Sequence, residues 1–167
     1  SMGAAGGWGA SPAWPRAEAA RSPVAWKEAP EAFAEGVASG DPAPQSVLLW
    51  TRISDAGSTR SVPLIVEVAE DPEFKAVIAS ARTRALAESD HTCRVLVGGL
   101  KPARIYWYRF TDERGRGSRV GRTRTAAAPD DPRPVRFTFV SCQNVCEGAQ
   151  NAYRRMIFED ERAAPED

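Results

Sequence analysis

The sequence predicts a mainly β protein: an antiparallel β-sandwich, followed by the first β-strand and α-helix of an α/β domain. Three observations carry this. Short runs with a period of two recur between residues 33 and 125, separated by turn signals. The stretch AAAPDDPRP at 126–134 then breaks the pattern, because proline cannot donate to a sheet ladder. Beyond it, VRFTFVSCQN is almost continuously apolar through Val140, as in strands buried on both faces, and a segment with helical spacing follows.

Taken in order, residues 1–32 are rich in Ala, Gly and Pro and hold Trp8, Trp14 and Trp26 without either periodicity. They read as an extended arm. Three tryptophans in a tail point to part of it lying along a folded body, indoles inward, with a ligand groove as the alternative. Ser1, Met2 and Gly3 read as a cloning remnant, so a native targeting segment is expected to have been removed.

From residue 33 the strands begin. SVLLWTRI sets Val47, Leu49 and Thr51 opposite Leu48, Trp50 and Arg52; PLIVEVA sets Leu64, Val66 and Val68 opposite Ile65 and Glu67. FKAVIASAR fits a strand or a short helix. TCRVLVGGL, RIYWYRF and SRVGRTRT continue the series, with Tyr106, Tyr108 and Phe110 facing away from Trp107 and Arg109. Turn chemistry sits at Ser39-Gly40-Asp41-Pro42, Asp55-Ala56-Gly57-Ser58, Gly98-Gly99 and residues 114–117. Asp41 and Asp71, each before a proline, read as turn formers. Leu100, Pro102 and Tyr106 have the spacing of a tyrosine corner, in which a buried ring needs a partner for its hydroxyl. That arrangement resembles fibronectin type III domains and assigns residues 33–125 to a type III-like sandwich. Residues 126–134 are then a linker and 135–167 the start of a second domain. In that start Ala149, Ala152, Tyr153, Met156 and Ile157 recur at helical spacing, away from Arg154, Arg155 and Glu159.

The bulk numbers are those of a soluble globular chain: 167 residues, 43% hydrophobic and 26% charged. Basic and acidic residues balance at 22 each, so charge does not argue for nucleic-acid or membrane-surface binding. Seven arginines lie between residues 104 and 124, interleaved with acids and strand residues, and read as a solvated sheet face. No apolar run reaches the roughly 20 residues of a membrane helix. Three cysteines cannot all pair within one chain. His91, the single histidine, reads as an exposed turn residue. The nucleotide-binding glycine motifs, the zinc motif H-E-x-x-H and a nucleophile elbow are all absent.

Chemistry concentrates at Ser141, Cys142 and Gln143, where a strand would give way to a helix, the place at which α/β sheets collect ligands. A thiolate there suits a metal or a nucleophilic role; the alternative is a small hydrophobe capping the strand. Cys142 and Cys146 make C-x3-C, which is not a strong zinc spacing.

Several strings fall together. FAEGVASGDPAPQSVLLWTRI, VPLIVEVAEDPEF, HTCRVLVGGLKPARIYWYRF and SRVGRTRT resemble the N-terminal domain of PhoD-like alkaline phosphatases, and VRFTFVSCQN with NAYRRM resembles the opening of that family's metallophosphatase domain. The resemblance implies an exported, two-domain phosphohydrolase, periplasmic or extracellular, that uses iron and calcium on phosphate monoesters and diesters. It implies that Cys142 ligates the iron, leaving Cys93 and Cys146 as bystanders. The aspartates, asparagine, tyrosine and histidines that would complete such a site have no motif here, and one thiolate cannot hold a metal cluster. The chain alone is therefore expected to be inactive and to need the rest of the metallophosphatase domain. The competing reading is a non-catalytic β-sandwich adaptor, which would have no use for an apolar strand after the linker.

Overall fold

The computed structural model describes residues 20–54, 59–135, 137–141, 144, 146 and 150–162. Trp8, Trp14, the turn at 55–58, Cys142 and Ala149 lie outside them. Proximity in space separates two compact units, residues 1–131 and 132–167.

The first unit is a sandwich of two sheets. Its strands are β1 (Lys27–Glu28), β2 (Val37–Ala43), β3 (Ser46–Arg52), β4 (Val62–Ala69), β5 (Val77–Ala85), β6 (Thr92–Val97), β7 (Ile105–Asp112), β8 (Arg116–Gly117) and β9 (Gly121–Arg124). One sheet runs β2-β3-β6; the other runs β1-β8-β7-β4-β5, with β9 also on β7. All named pairings are antiparallel except β1 with β8. The chain switches sheets after β1, β3, β5 and β6, so each sheet collects strands distant in sequence and the core closes only when both are complete.

The alternation in the sequence becomes burial. Val47, Leu49 and Thr51 of β3 are buried while their neighbours are half-exposed, and Leu64, Val66 and Val68 of β4 face them with Tyr106, Tyr108 and Phe110 of β7. Burying a side chain of this size contributes roughly 1.5–3 kcal/mol, so these positions dominate the fold's stability. FKAVIASAR resolves as strand β5, pairing with β4 from Val62↔Ala85 to Ala69↔Val77.

The tyrosine corner is present. The Tyr106 ring is 1% exposed, and its hydroxyl accepts a hydrogen bond from the Lys101 amide at 2.9 Å. A second clamp closes the unit beside it. Thr125 Oγ1 donates to the Lys101 carbonyl at 2.6 Å and accepts from the Arg104 amide at 3.1 Å. The next residue, Ala126, donates its amide to the Ala43 carbonyl and accepts from the Ala103 amide.

Four expectations are corrected. Ser39-Gly40-Asp41-Pro42 is not a turn between strands but part of β2, where the register to β3 shifts between Gly40 and Ala43 and Asp41 sits at φ 46°. An edge strand with a bulge tolerates a proline that cannot donate. His91 is buried at 9% exposure, its Nε2 3.1 Å from the Arg60 carbonyl oxygen. A 3-10 turn at Ala87–Ser89 leads into Asp90 and His91, both at φ 53°, and this turns the imidazole inward. The solvated-face reading of the arginine cluster fails at Arg109, which is 7% exposed.

The fourth correction lies in the second unit. Its helix α1 (Asn151–Arg162) forms as expected, with Ala152 and Met156 half-buried and an Arg155–Glu159 ion pair one turn apart. The expected strand does not form: residues 137–140 carry no ladder, and Phe137 and Phe139 are each 82% exposed. A strand exists only against a neighbour, and the described residues of this unit offer none.

Candidate functional site

The residue singled out from the sequence, Cys142, lies outside the described residues. Around it, Ser141, Asn144 and Cys146 are exposed, and the Cys146 amide donates to Asn144 Oδ1 at 3.0 Å, a local turn. Cys93 is buried in the sandwich core with its Sγ 3.3 Å from Thr83 Oγ1, and burial pushes its thiol pKa up, away from the reactive thiolate. Among the described residues, no group of three or more His, Cys, Asp or Glu side chains could hold a metal ion. A depression lined by Glu70, Ile78, Gly98, Lys101 and Tyr106 offers only about 20 Å³, room for one water rather than a substrate.

The most organised polar constellation was not foreseen. Glu67 on β4 and Arg109 on β7 are direct cross-strand partners on the outer face of the larger sheet. Arg109 Nε and Nη2 both donate to Glu67 Oε2, at 3.0 and 2.8 Å. The other carboxylate oxygen accepts from Ser22 Oγ at 2.6 Å, and Ser22 Oγ in turn accepts from Arg109 Nη2 at 2.9 Å. The guanidinium carbon stands 4.0 Å from the Phe74 ring centre and 5.0 Å from that of Trp26. Glu67 is fully buried.

Chemically this is a closed unit. Both ions are paired, the cation lies between two π faces, and the carboxylate's oxygens are taken up by donors, so the arrangement holds sheet and arm together and leaves no group free to react. Its signal was in the sequence: Glu67 is the lone charge in LIVEV and Arg109 the lone charge in IYWYRF, each inside an apolar run. The expectation that the arm's tryptophans turn inward holds at Trp26, whose Nε1 donates to the Ser118 carbonyl at 3.2 Å.

This sandwich, with its tyrosine corner and docked arm, matches the family model described as PhoD-like phosphatase, N-terminal domain, over residues 17–127. The chain belongs to that family. Alkaline phosphatase D of Bacillus subtilis (strain 168) is 37% identical over 134 residues, which cover 76% of this chain and 23% of that protein. A solved structure of PhoD superposes with a TM-score of 0.71 at 37% identity, covering 75% of this chain and 25% of that one. The chain thus spans about a quarter of the length of the relatives it matches. The matched span takes in the arm from residue 17, so the segment that packs on Glu67 and Arg109 is part of the family's domain.

Proposed function

We propose that this chain is the N-terminal portion of an exported, metal-dependent hydrolase of phosphate monoesters and diesters. The single observation supporting this is the 37% identity to alkaline phosphatase D across most of the chain. Residues 33–125 serve as the sandwich domain, 126–134 as the linker and 135–167 as the opening of the metallophosphatase domain. In that reading Cys142 is one ligand of a metal site, with iron and calcium the metals the family resemblance implies. The donor chemistry is suitable, since a thiolate joins readily with oxygen donors around a transition metal. One donor cannot hold the site, and the described residues add no cluster to it, so no catalytic step rests on them. Bound metal would supply a hydroxide nucleophile and charge neutralisation at phosphorus. What the described residues contribute is the two-sheet domain that precedes the linker.

The test uses the longer protein that contains this chain and the metallophosphatase residues following it. It is expected to hydrolyse p-nitrophenyl phosphate or the bis ester, to carry iron, and to be found outside the cytoplasm on fractionation. Cys142→Ala is expected to lose most of the iron and of the rate. Full metal content and rate in that variant overturn the ligand assignment. No hydrolysis of either ester by the metal-loaded protein would overturn the enzyme reading and favour a binding module.

A further inference from the structure

The arm that covers Glu67 and Arg109 is held differently from every other element of the sandwich. Its main-chain bonds to the body occur at two places: Ala20 exchanges two with Val77 while the Ser22 amide donates to the Phe74 carbonyl, and the Lys27 and Ala29 amides donate to the Gly115 and Gly117 carbonyls. Strand β8, which receives the second set, is itself two residues long, and β1 pairs with it in parallel. Beneath the arm lies the charged pair with the small cluster of Ala69, Phe74 and Val77, on the opposite face of the sheet from the main core. The main core begins at Ala29, followed by Ala32 and Phe33, and there the chain makes a tight turn closed by the Ala32 and Phe33 amides on the Ala29 carbonyl.

The body carries a shaped seat for the arm. A Cβ built on Gly117 would overlap the Trp26 indole, and one on Gly115, which is at φ +77°, would meet the Ala25 carbonyl oxygen at 3.4 Å. Gly117 lets the Trp26 indole lie directly on backbone, beside the Arg109 guanidinium, and Gly115 lets Ala25 come close.

We propose that residues 20–28 form a detachable latch, hinged at the Ala29 turn and seated by Trp26 over Gly117, that opens as a local unit while the two-sheet core stays closed. Opening uncovers the outer edge of β8 and the Glu67–Arg109 pair, giving a groove shaped for an extended strand with an indole. In the closed state the chain supplies that strand itself. The physical basis is a division of labour. The latch is held by a few hydrogen bonds, one indole and one ion cluster, whereas the core is held by apolar burial that the latch does not share.

Native-state hydrogen exchange on the intact 167-residue chain tests this. The Ser22 and Lys27 amides are expected to exchange on the order of 100-fold or more faster than the protected amides of β3 and β4, with little denaturant dependence, as local openings do. Gly117→Ala weakens the seat in the closed state only, so it is expected to speed exchange at Ser22 and Lys27 by about tenfold or more while their denaturant dependence stays small and their lead over β3 and β4 persists. Trp26→Ala provides the same readout should the Gly117 variant fail to fold. If Ser22 and Lys27 exchange at the rate and with the denaturant dependence of β3 and β4, or if neither variant speeds their exchange, the latch is not a local unit seated by Trp26 and the proposal fails.

Discussion

Tyr106 illustrates what one hydroxyl does here. It is the acceptor for the Lys101 amide in the turn before β7. Tyr106→Phe keeps the ring and removes the acceptor, so it is expected to destabilise the sandwich by about 1 kcal/mol or more, read as a lower denaturation midpoint with an unchanged denaturant slope. Thr111 is the opposite case. It is fully buried, and its Oγ1 has no hydrogen-bond partner among the described residues. Thr111→Val keeps the shape and deletes the stranded oxygen; it is expected to be neutral or to stabilise by about 1 kcal/mol in the same measurement. The first residue was legible in the sequence, because a leucine, a proline and a tyrosine at fixed offsets describe a local turn. The second was not, because nothing local tells a threonine that it lies under two strands.

Strands β4 and β7 meet at Glu67 and Arg109, where each buried ion is matched by the other. Glu67→Ala would leave a buried guanidinium with its carboxylate gone, and is expected to cost about 3–5 kcal/mol in equilibrium unfolding. Replacing both, Glu67→Leu with Arg109→Met, is expected to cost clearly less, which a double-mutant cycle would read directly. The strands themselves were legible because their inward residues alternate, as at Val47, Leu49 and Thr51. The buried pair was not, because a charge on the outer face of a strand reads as solvated until the arm is known to cover it. The apolar run at 137–140 shows the converse: its composition announces a buried strand, yet a ladder depends on neighbours the run does not itself encode. Position 142 was picked out by its place between strand and helix, and that placement rests on the same missing neighbours.

Across the molecule, pH should act at both ends of the scale. Burial pushes the Tyr108 phenol up to about 12, against the opposing effect of a hydrogen bond with Ser39. Its folded value lies above the unfolded one, so the native state holds its proton longer. The contribution is complete below the ordinary phenol value of about 10 and is lost as pH rises toward 12. Melting temperature is expected to fall through that window, with a late phenolate absorbance step that Tyr108→Phe removes. Loss of a step in the ordinary phenol range on Tyr108→Phe would contradict the burial. On the acid side, backbone amides hold the Asp71 carboxylate below its usual range and the Arg52 guanidinium does the same for Asp90. Both contributions are present above about pH 4 and fade as pH drops through the depressed values.

The clamp at Thr125 and Ala126 also fixes where this domain can be severed. Those two residues supply acceptors to the Ala103 and Arg104 amides and donors to the Lys101 and Ala43 carbonyls. A transplanted sandwich that stops at Arg124 therefore exposes a frayed seam on three loops at once, whereas a splice placed between Ala128 and Asp131 carries the whole fastening with it. Anyone exchanging this module between members of the family would cut there.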